Sequence, residues 1–443
     1  MRIGYSMIKK PNVCAPRKNR RPLKIGRPTG GDIPLRICLL TYRGNPHCGG
    51  QGVYARYLST ALAELGHRVD VISGPPYPKL DSKVHLVRLP SLDLYNPEDL
   101  FRMPSASELS NPINLLEWLD ISSMGFPEPL TFGLRVKKYL KRYRHHYDIV
   151  HDNQSLSYGV LSVKKWLPTI ATIHHPITID RRLAVRSAPT FLEKLQQLRW
   201  YSFIGMQKRV SRRLSHLVTV SNSARNDIAV DFSISPENFR VVPNGIDTEQ
   251  FHPIPTIKRE KNRIIVTNSA DTPLKGLKYL MAAAARLRHE CKFRMFVIGT
   301  PNKNGTVARM VRQMGLGASV TFTGRVSTSD LVKHYARASV AVVPSVYEGF
   351  GFPAGEAMAC GTPVICTAAG ALPELVGDAG MVVPPADPGA LFEALKAFLK
   401  DPDLASRMGN AGLARVNRQY TWEAAAQKTL SVYREAIRDY HRL

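Results

Sequence analysis

Short runs of β-branched and other apolar residues recur along this chain, and most end in Gly, Asn, His or Ser just ahead of a stretch with helical periodicity. In order they read RICLLTY (36–42), RVDVISG (68–74), VHLVRLP (84–90), DIVHD (148–152), TIATIHH (169–175), LVTVSN (217–222), FRVVPNG (239–245), RIIVTNS (263–269), FRMFVIG (293–299), VTFTG (320–324), VAVVPS (340–345) and PVICTAAG (363–370). Amphipathic segments such as GVYARYLSTALAELGH (52–67) and LKYLMAAAARLRHE (277–290) lie between many of them. Strands alternating with helices predict parallel α/β sheets, whose ligands bind in crevices beyond the carboxyl ends of the strands. Polar residues at those ends are therefore the first candidates for a site. No apolar run approaches the roughly 18–20 residues that span a bilayer.

The alternation breaks twice. Residues 242–263 (VPNGIDTEQFHPIPTIKREKNR) are rich in turn formers and charge; they separate a first series of strands from a second and are the best linker. Residues 90–129 form a long, proline-punctuated insertion, expected to be irregular apart from a short helix near Ile113–Leu119. Such an insertion either lines an acceptor pocket or is plain loop. The 443 residues fit two domains, at about 200 residues each.

Composition adds less. Hydrophobic residues at 44% and charged residues at 22% describe a folded, soluble protein. Of the net charge of +26, residues 1–30 carry +9 without a single acid, residues 31–255 carry +7 and residues 256–443 carry +10. That balance suits nucleic acid, an anionic membrane or phosphate-bearing substrates and does not choose among them. The N-terminal stretch lacks the apolar run of about 7–15 residues that a secretory signal needs, and reads as a disordered basic tail. Six cysteines (Cys14, Cys38, Cys48, Cys291, Cys360, Cys366) show no paired zinc spacing, which suits reduced thiols in a cytosolic protein.

The densest chemistry lies in YEGFGFPAGEAMACGTPVI (347–365). A buried strand runs into a glycine-rich turn and then a helix of small residues. The turn exposes successive backbone N–H groups at a helix N-terminus, a combination that attracts phosphate. Glu356 is expected in the first helical turn, where its charge is favourable to the dipole and it can accept from two adjacent hydroxyls. Glu348, before the turn, can accept from sugar hydroxyls on the other side. A plain strand–turn–helix with an N-terminal carboxylate is the ordinary alternative.

EGFGFPAGE (348–356) resembles the hallmark of the family-4 glycosyltransferases, a Glu, seven residues and a second Glu. PLKGLKYL (273–280), FTGRVSTSDLVKHYARASV (322–340), GALPELVGDAGMVVPPADPGAL (370–391), TVSNSARNDI (219–228) and VVPNGID (241–247) are similar to that family in the expected order. The resemblance covers residue 35 or so to the end. It implies the GT-B fold, two Rossmann-like α/β domains facing each other across a cleft. The divisions are then a basic tail (1–34), an acceptor-binding domain (35–250), a nucleotide-sugar-binding domain (251–420) and a C-terminal helix crossing back to the first domain (421–443).

The resemblance also implies roles. Glu348 holds the donor sugar's hydroxyls and Glu356 the ribose, while the backbone at Gly349, Phe350, Gly351 and Phe352 holds sugar and diphosphate. Lys275 neutralises the leaving diphosphate, where charge builds up as the glycosidic bond breaks. Arg325 and the backbone after it lie near the base or phosphates. The family usually has an arginine five or six residues before the lysine, where this chain has Ser269 and Ala270. Either Arg325 takes over or the Ser269–Thr272 turn holds the phosphate. Gly49 and Gly50, between the first strand and first helix, face the diphosphate and acceptor in the resembled family; a tight turn needing small residues is the alternative. They do not form the Gly-x-Gly-x-x-Gly fingerprint of a nicotinamide or flavin site. His174, or its neighbour His175, corresponds to the histidine near the transferred sugar. His151 and Asp152 end the neighbouring strand, so a polar cluster is expected there. No nucleophile-elbow sequence supports a Ser/His/Asp reading.

Asp401 and Asp403 in FLKDPDLASRMG mimic an Asp-x-Asp metal signature, but Asp401 before Pro402 reads as a helix cap, and no metal is expected. The basic amphipathic stretches 135–147 and 199–216 either dock on anionic lipid or nucleic acid, or pack an apolar stripe on the sheet. Lipid is favoured over nucleic acid because the family often uses lipid-linked acceptors.

The expectation is a retaining hexosyltransferase with His174, Lys275 and Glu348 at the chemistry and a UDP- or GDP-linked sugar as donor. It needs no cofactor and passes the sugar to a hydroxyl of a glycan, a lipid-linked or a small acceptor, with the leaving phosphate itself taking the acceptor's proton. The expected setting is cytoplasmic, with peripheral attachment at the inner face of the membrane as a variant. The competing readings are an inactive carbohydrate- or polyanion-binding protein, and an epimerase or phosphorylase on the same fold.

Overall fold

The computed structural model describes residues 33–44, 50–96, 99, 102–267, 273–300 and 305–442. The expected basic tail, Gly49 and the Ser269–Thr272 turn lie outside the described residues. Each apolar run named above contains a strand: β1 (Arg36–Thr41), β2 (Arg68–Ser73), β3 (His85–Arg88), β4 (Ile149–Asn153), β5 (Thr169–Ile173), β6 (Leu217–Thr219), β7 (Phe239–Val241), β8 (Arg263–Thr267), β9 (Arg294–Ile298), β10 (Val320–Gly324), β11 (Val340–Val343) and β12 (Val364–Thr367). A further strand, β13 (Met381–Val383), was not expected, because three residues are too few to show a period.

The strands form two sheets, ordered β3-β2-β1-β4-β5-β6-β7 and β10-β9-β8-β11-β12-β13. The described pairings all run parallel. The chain divides into two compact units: one runs through Val218 and adds Asp227–Arg240 and Ala426–Leu443, and the other holds Thr219–Asn226 and Val241–Ala425. Each unit is thus a Rossmann-like layer of parallel strands with helices packed on it. Residues 242–263, read as the linker, are pinned within the second unit. Arg259 there donates to the carbonyls of Ala338 (2.7 Å) and Gly361 (2.5 Å), and Ile246 N–H donates to Tyr420 O at 2.7 Å.

Both basic amphipathic stretches bury an apolar stripe within the first unit, the 135–147 one in a core shared with strand residues. In the helix Glu128–Tyr143, Val136, Tyr139 and Leu140 are buried while Lys137, Lys138 and Lys141 stay in water. Each large apolar side chain so buried contributes about 1.5–3 kcal/mol. The helix Ile204–Ser211 likewise buries Ile204, Met206 and Val210. By contrast, the helix Phe191–Trp200 buries no residue at all, and Phe191, Leu192, Leu195 and Leu198 are exposed along it.

The insertion is more ordered than its prolines suggest. It holds two helices, Ala106–Leu109 and Pro112–Ser122, the first opened by a Ser105–Glu108 capping box. The second turns Glu117 inward, where it accepts from Leu92 N–H (3.2 Å) and pairs with Arg135 at 2.5 Å. Tyr42, Ser91, Glu117, Glu128 and Arg135 line a cavity of about 10 Å³ beside it, room for a single water. Burial pushes the Glu128 carboxyl up to about 8 against the pull of Arg43, 3.2 Å away.

Removing one partner of the buried Glu117–Arg135 pair leaves a charge without compensation. Arg135→Met is expected to cost about 3–5 kcal/mol in urea unfolding. A loss below about 1 kcal/mol would show that the insertion does not depend on this pair.

Candidate functional site

In the second unit the sheet grows from β8 through β9 to one side and resumes at β11 on the other. The loops that follow β8 and β11 therefore leave the sheet side by side, at the position where α/β sheets bind ligands. The two loops are tied together. Val346 N–H donates to Leu274 O (2.7 Å), and Gly276 sits in the left-handed region at φ +69°, where a Cβ would lie 1.9 Å from Pro344 O. Only glycine admits that approach. The tie brings Lys275 to Glu348: Nζ and Oε2 are 2.6 Å apart, with Ser345 Oγ donating to the same oxygen at 3.3 Å. Thr367 Oγ1 in turn donates to Ser345 O.

Gly351, at φ +102°, reverses the chain into the helix Phe352–Ala359, and a side chain there would strike Leu372 at 2.6 Å. Among the described residues, the backbone N–H groups of Phe350, Gly351 and Phe352 donate no hydrogen bond. Gly349 is backed by Ser221, whose Oγ reaches Gly349 O at 3.5 Å. Glu374 caps the helix that follows Ser221, accepting from the backbone N–H of Asn222 (2.8 Å) and Ser223 (2.7 Å). Ser221 and Glu374 were missed as site-supporting residues. The only signal for them was a Ser-Asn-Ser run before a helix, which by itself says cap and nothing more.

Glu356 corrects an expectation. The helix begins at Phe352, so Glu356 lies beyond its first turn, which holds no acid. The dipole benefit fades within one turn. Burial instead pushes the carboxyl up to about 7, with Tyr335 OH near it at 3.4 Å opposing the rise only in part. Tyr335 is itself held by Thr267 Oγ1 at 2.8 Å. Arg325 follows β10, which β9 separates from β8; it is exposed and, among the described residues, makes no hydrogen bond or ion pair.

The first unit repeats the logic, with β1 and β4 as the neighbours whose loops diverge. Gly50 opens the helix Gly50–Glu64, and a Cβ built on it meets nothing within 4 Å among the described residues. His174, directly after β5, has Nε2 2.7 Å from Asn153 Oδ1, and its backbone N–H donates to Gln154 Oε1 at 2.9 Å. The Tyr54 ring meets it edge-on, with centroids 4.7 Å apart. Burial holds the imidazole neutral, its pKa lowered to about 3. His175 is half-exposed and pairs with Asp180 at 2.8 Å.

The expected cluster of His151 and Asp152 is rearranged. His151 is fully buried, with Nδ1 on Tyr433 OH (2.8 Å) and Nε2 on Thr172 Oγ1 (2.6 Å). Asp152 points to the opposite face of its strand, as alternation requires. There it accepts from Ser155 Oγ (2.5 Å) and Leu156 N–H (2.7 Å). The described residues that hydrogen-bond His174 are Asn153 and Gln154, which carry no charge and drew no attention in the sequence. Asp401 accepts from Leu404 N–H at 2.9 Å and caps the helix Pro402–Gln419. Among the described residues, His216, Glu435 and Asp439 bring donor atoms within 4.8 Å of one another. Glu435 already pairs with the Arg240 guanidinium at 2.5 Å, a cation that opposes a metal ion there.

The family described as "Glycosyl transferases group 1" matches residues 248–415, and that described as "Glycosyltransferase Family 4" matches residues 48–250. A protein of Mycolicibacterium hassiacum named MMP alpha-(1->4)-mannosyltransferase is 45% identical over 408 residues, covering 91% of this chain and 98% of its own. A D-inositol 3-phosphate glycosyltransferase of Kineococcus radiotolerans is 32% identical, covering 66% of this chain and 73% of its own. Among solved structures, sucrose-phosphate synthase from Thermosynechococcus elongatus superposes with a TM-score of 0.67 at 24% identity, over 91% of this chain and 100% of that one. That last likeness concerns the fold.

A carboxyl whose pKa rises from 4.5 to about 7 on folding binds protons more tightly in the native state. Stability is then lost as pH climbs through that window. Glu356→Gln removes the penalty: unfolding at pH 8 is expected to show a gain of roughly 1–3 kcal/mol, with little gain at pH 5. Equal shifts at both pH values would mean that Glu356 is not titrating in the fold.

Proposed function

Because this chain belongs to the family-4 glycosyltransferases and has their GT-B fold, we propose that it is a retaining enzyme which moves a hexose from a nucleoside diphosphate sugar to an acceptor hydroxyl. The observation that carries this reading is the Lys275–Glu348 pair beside the open amides of the glycine loop. The Lys275 ammonium and N–H groups that no described residue accepts from stand where a diphosphate would leave, and a carboxylate stands ready for sugar hydroxyls. Glu356 would take the ribose hydroxyls. His174 would serve the transferred sugar, and Gly50, where a built Cβ meets none of the described residues within 4 Å, would admit close approach of a ligand.

The chemistry asks little of side-chain acids and bases. The bond from the anomeric carbon to the diphosphate oxygen breaks, the acceptor oxygen bonds to that carbon on the same face, and its proton passes to the departing phosphate. The products are the glycoside and a nucleoside diphosphate. Lys275 stabilises the charge that develops on the leaving group, an effect worth about 10²–10³ in rate at comparable sites. The relative at 45% identity is named a mannosyltransferase. Mannose, GDP- or UDP-linked, is therefore the first donor sugar to try.

Incubation with GDP-mannose, UDP-glucose and related donors is expected to release nucleoside diphosphate slowly without an acceptor. Lys275→Ala and Glu348→Gln should each lower turnover about 10²–10³-fold. Absence of donor hydrolysis, together with no thermal shift by any nucleotide, would sink the reading in favour of an inactive binding protein.

Peripheral contact with anionic lipid, we propose, runs through the helix Phe191–Trp200, whose four exposed apolar side chains are not covered by the described residues. The protein is expected to co-sediment with anionic vesicles more than with zwitterionic ones, and Leu192→Glu with Leu195→Glu should abolish the difference. Unchanged sedimentation in that double variant would remove the helix from consideration.

A further inference from the structure

The imidazole of His174 is held in one protonation state by a neutral neighbour. Asn153 spends its Nδ2 on Gln51 O at 3.1 Å, so the amide oxygen is the atom that faces His174 Nε2 at 2.7 Å. An amide oxygen only accepts, and therefore Nε2 carries the proton; in the neutral ring that burial favours, Nδ1 then carries the lone pair. Among the described residues Nδ1 has no hydrogen-bond partner, and the side chain is half-buried rather than sealed. Gln154 grips the same peptide from both ends: its Oε1 accepts from His174 N–H at 2.9 Å and its Nε2 donates to His175 O at 3.2 Å.

The loop that presents these two amides is costly. Gln154 and Leu156 are both left-handed, at φ +58° and +48°, without being glycine. Such conformations persist only where the surroundings over-determine them, and they gather at functional sites. Here the carboxylate of Asp152 accepts from Ser155 and Leu156, while Gln207 Nε2 donates to the carbonyls of Gln154 (3.1 Å) and Ser155 (3.3 Å).

We propose that Asn153 is a positioning residue which locks His174 as the neutral Nε2–H tautomer, so that Nδ1 accepts a hydrogen bond from a substrate hydroxyl. This rests on the reading of the chain as a nucleotide-sugar transferase. A histidine meant to become a cation would be given a carboxylate at Nε2, and this one is given an amide. The groups around it agree. The helix Gly50–Glu64 presents the Tyr54 ring to it. From β4, His151 has both nitrogens committed to Tyr433 and Thr172, and Asp152 is turned away into its loop. On the far side His175 is engaged by Asp180. No carboxylate among the described residues touches the His174 ring, and its burial disfavours the charged form.

Nitrogen NMR on ¹⁵N-histidine-labelled protein tests the lock without any substitution. His174 should show a protonated Nε2 and a bare Nδ1 from pH 5 to pH 9. An Nδ1–H tautomer, or titration near the ordinary histidine value, would overturn the proposal. Turnover of variants supplies the second arm. Asn153→Asp puts a carboxylate on Nε2 and should favour the imidazolium: activity within about tenfold of wild type at pH 9, falling about tenfold per pH unit below its new pKa. Asn153→Ala should lose rate equally at all pH values. If Asn153→Asp keeps the wild-type pH profile, the lock is refuted. A wild-type protein that turns over no nucleotide sugar defeats the functional reading instead, and leaves the NMR result standing. Deoxy donors and deoxy acceptors then separate the two sources of the hydroxyl, since the one whose missing group erases the Asn153→Asp effect supplied it.

Discussion

A parallel sheet that grows first to one side of its opening strand and then to the other must separate the two chains leaving its centre. In the first unit these leave β1 and β4, in the second β8 and β11. Main-chain groups at the carboxyl ends of these strands cannot be satisfied by a neighbouring helix passing overhead, because the helices have parted to opposite faces. Gly50 and Asn153 stand at the first of these points, and the Lys275–Glu348 pair with its glycine loop at the second. The fold makes the opening, and the loops decide what fills it.

The two openings are finished in different ways. In the second unit the finish is close backbone contact, possible only because Gly276 and Gly351 take left-handed conformations that leave no room for a side chain. Contact at that range lets a short lysine–carboxylate pair form beside amides that none of the described residues accepts from. In the first unit the finish is a strained loop of ordinary residues, held by a buried aspartate and two glutamines. One arrangement suits an anion and the other a neutral hydroxyl.

Buried polar groups also explain the end of the chain. Tyr433, on the helix Trp422–Arg442, is wholly buried and bonded to His151, which bonds through Thr172 to Tyr54. Each member satisfies the next, so none is left with the desolvation penalty of a lone buried donor. The helix from Ala426 onward belongs to the first unit partly through this link, and the same chain of contacts ends on the ring beside His174.

How much of this was legible in the residues depends on the range of the interaction. Apolar runs and the helical stretches between them give strands and helices from local periodicity, and the Gly-Phe-Gly turn with its flanking acids marks a loop whose backbone N–H groups and carboxylates suit phosphate and hydroxyls. Strand β13 was invisible because three residues carry no period. The 242–263 segment looked loose because its turn residues are local, whereas the contacts of Arg259 that pin it reach about a hundred residues along the chain. The inward turn of Glu356 toward Tyr335, the water-sized cavity under the insertion and the amide facing His174 are likewise decisions of tertiary structure. Asn153 and His174 are 21 positions apart, and no pattern in either segment couples them. Sequence by itself determined the elements and the chemistry each loop carries. Pairing of β4 with β5 decided which of those side chains meet, because only strand order sets the neighbours of a residue at a strand's end.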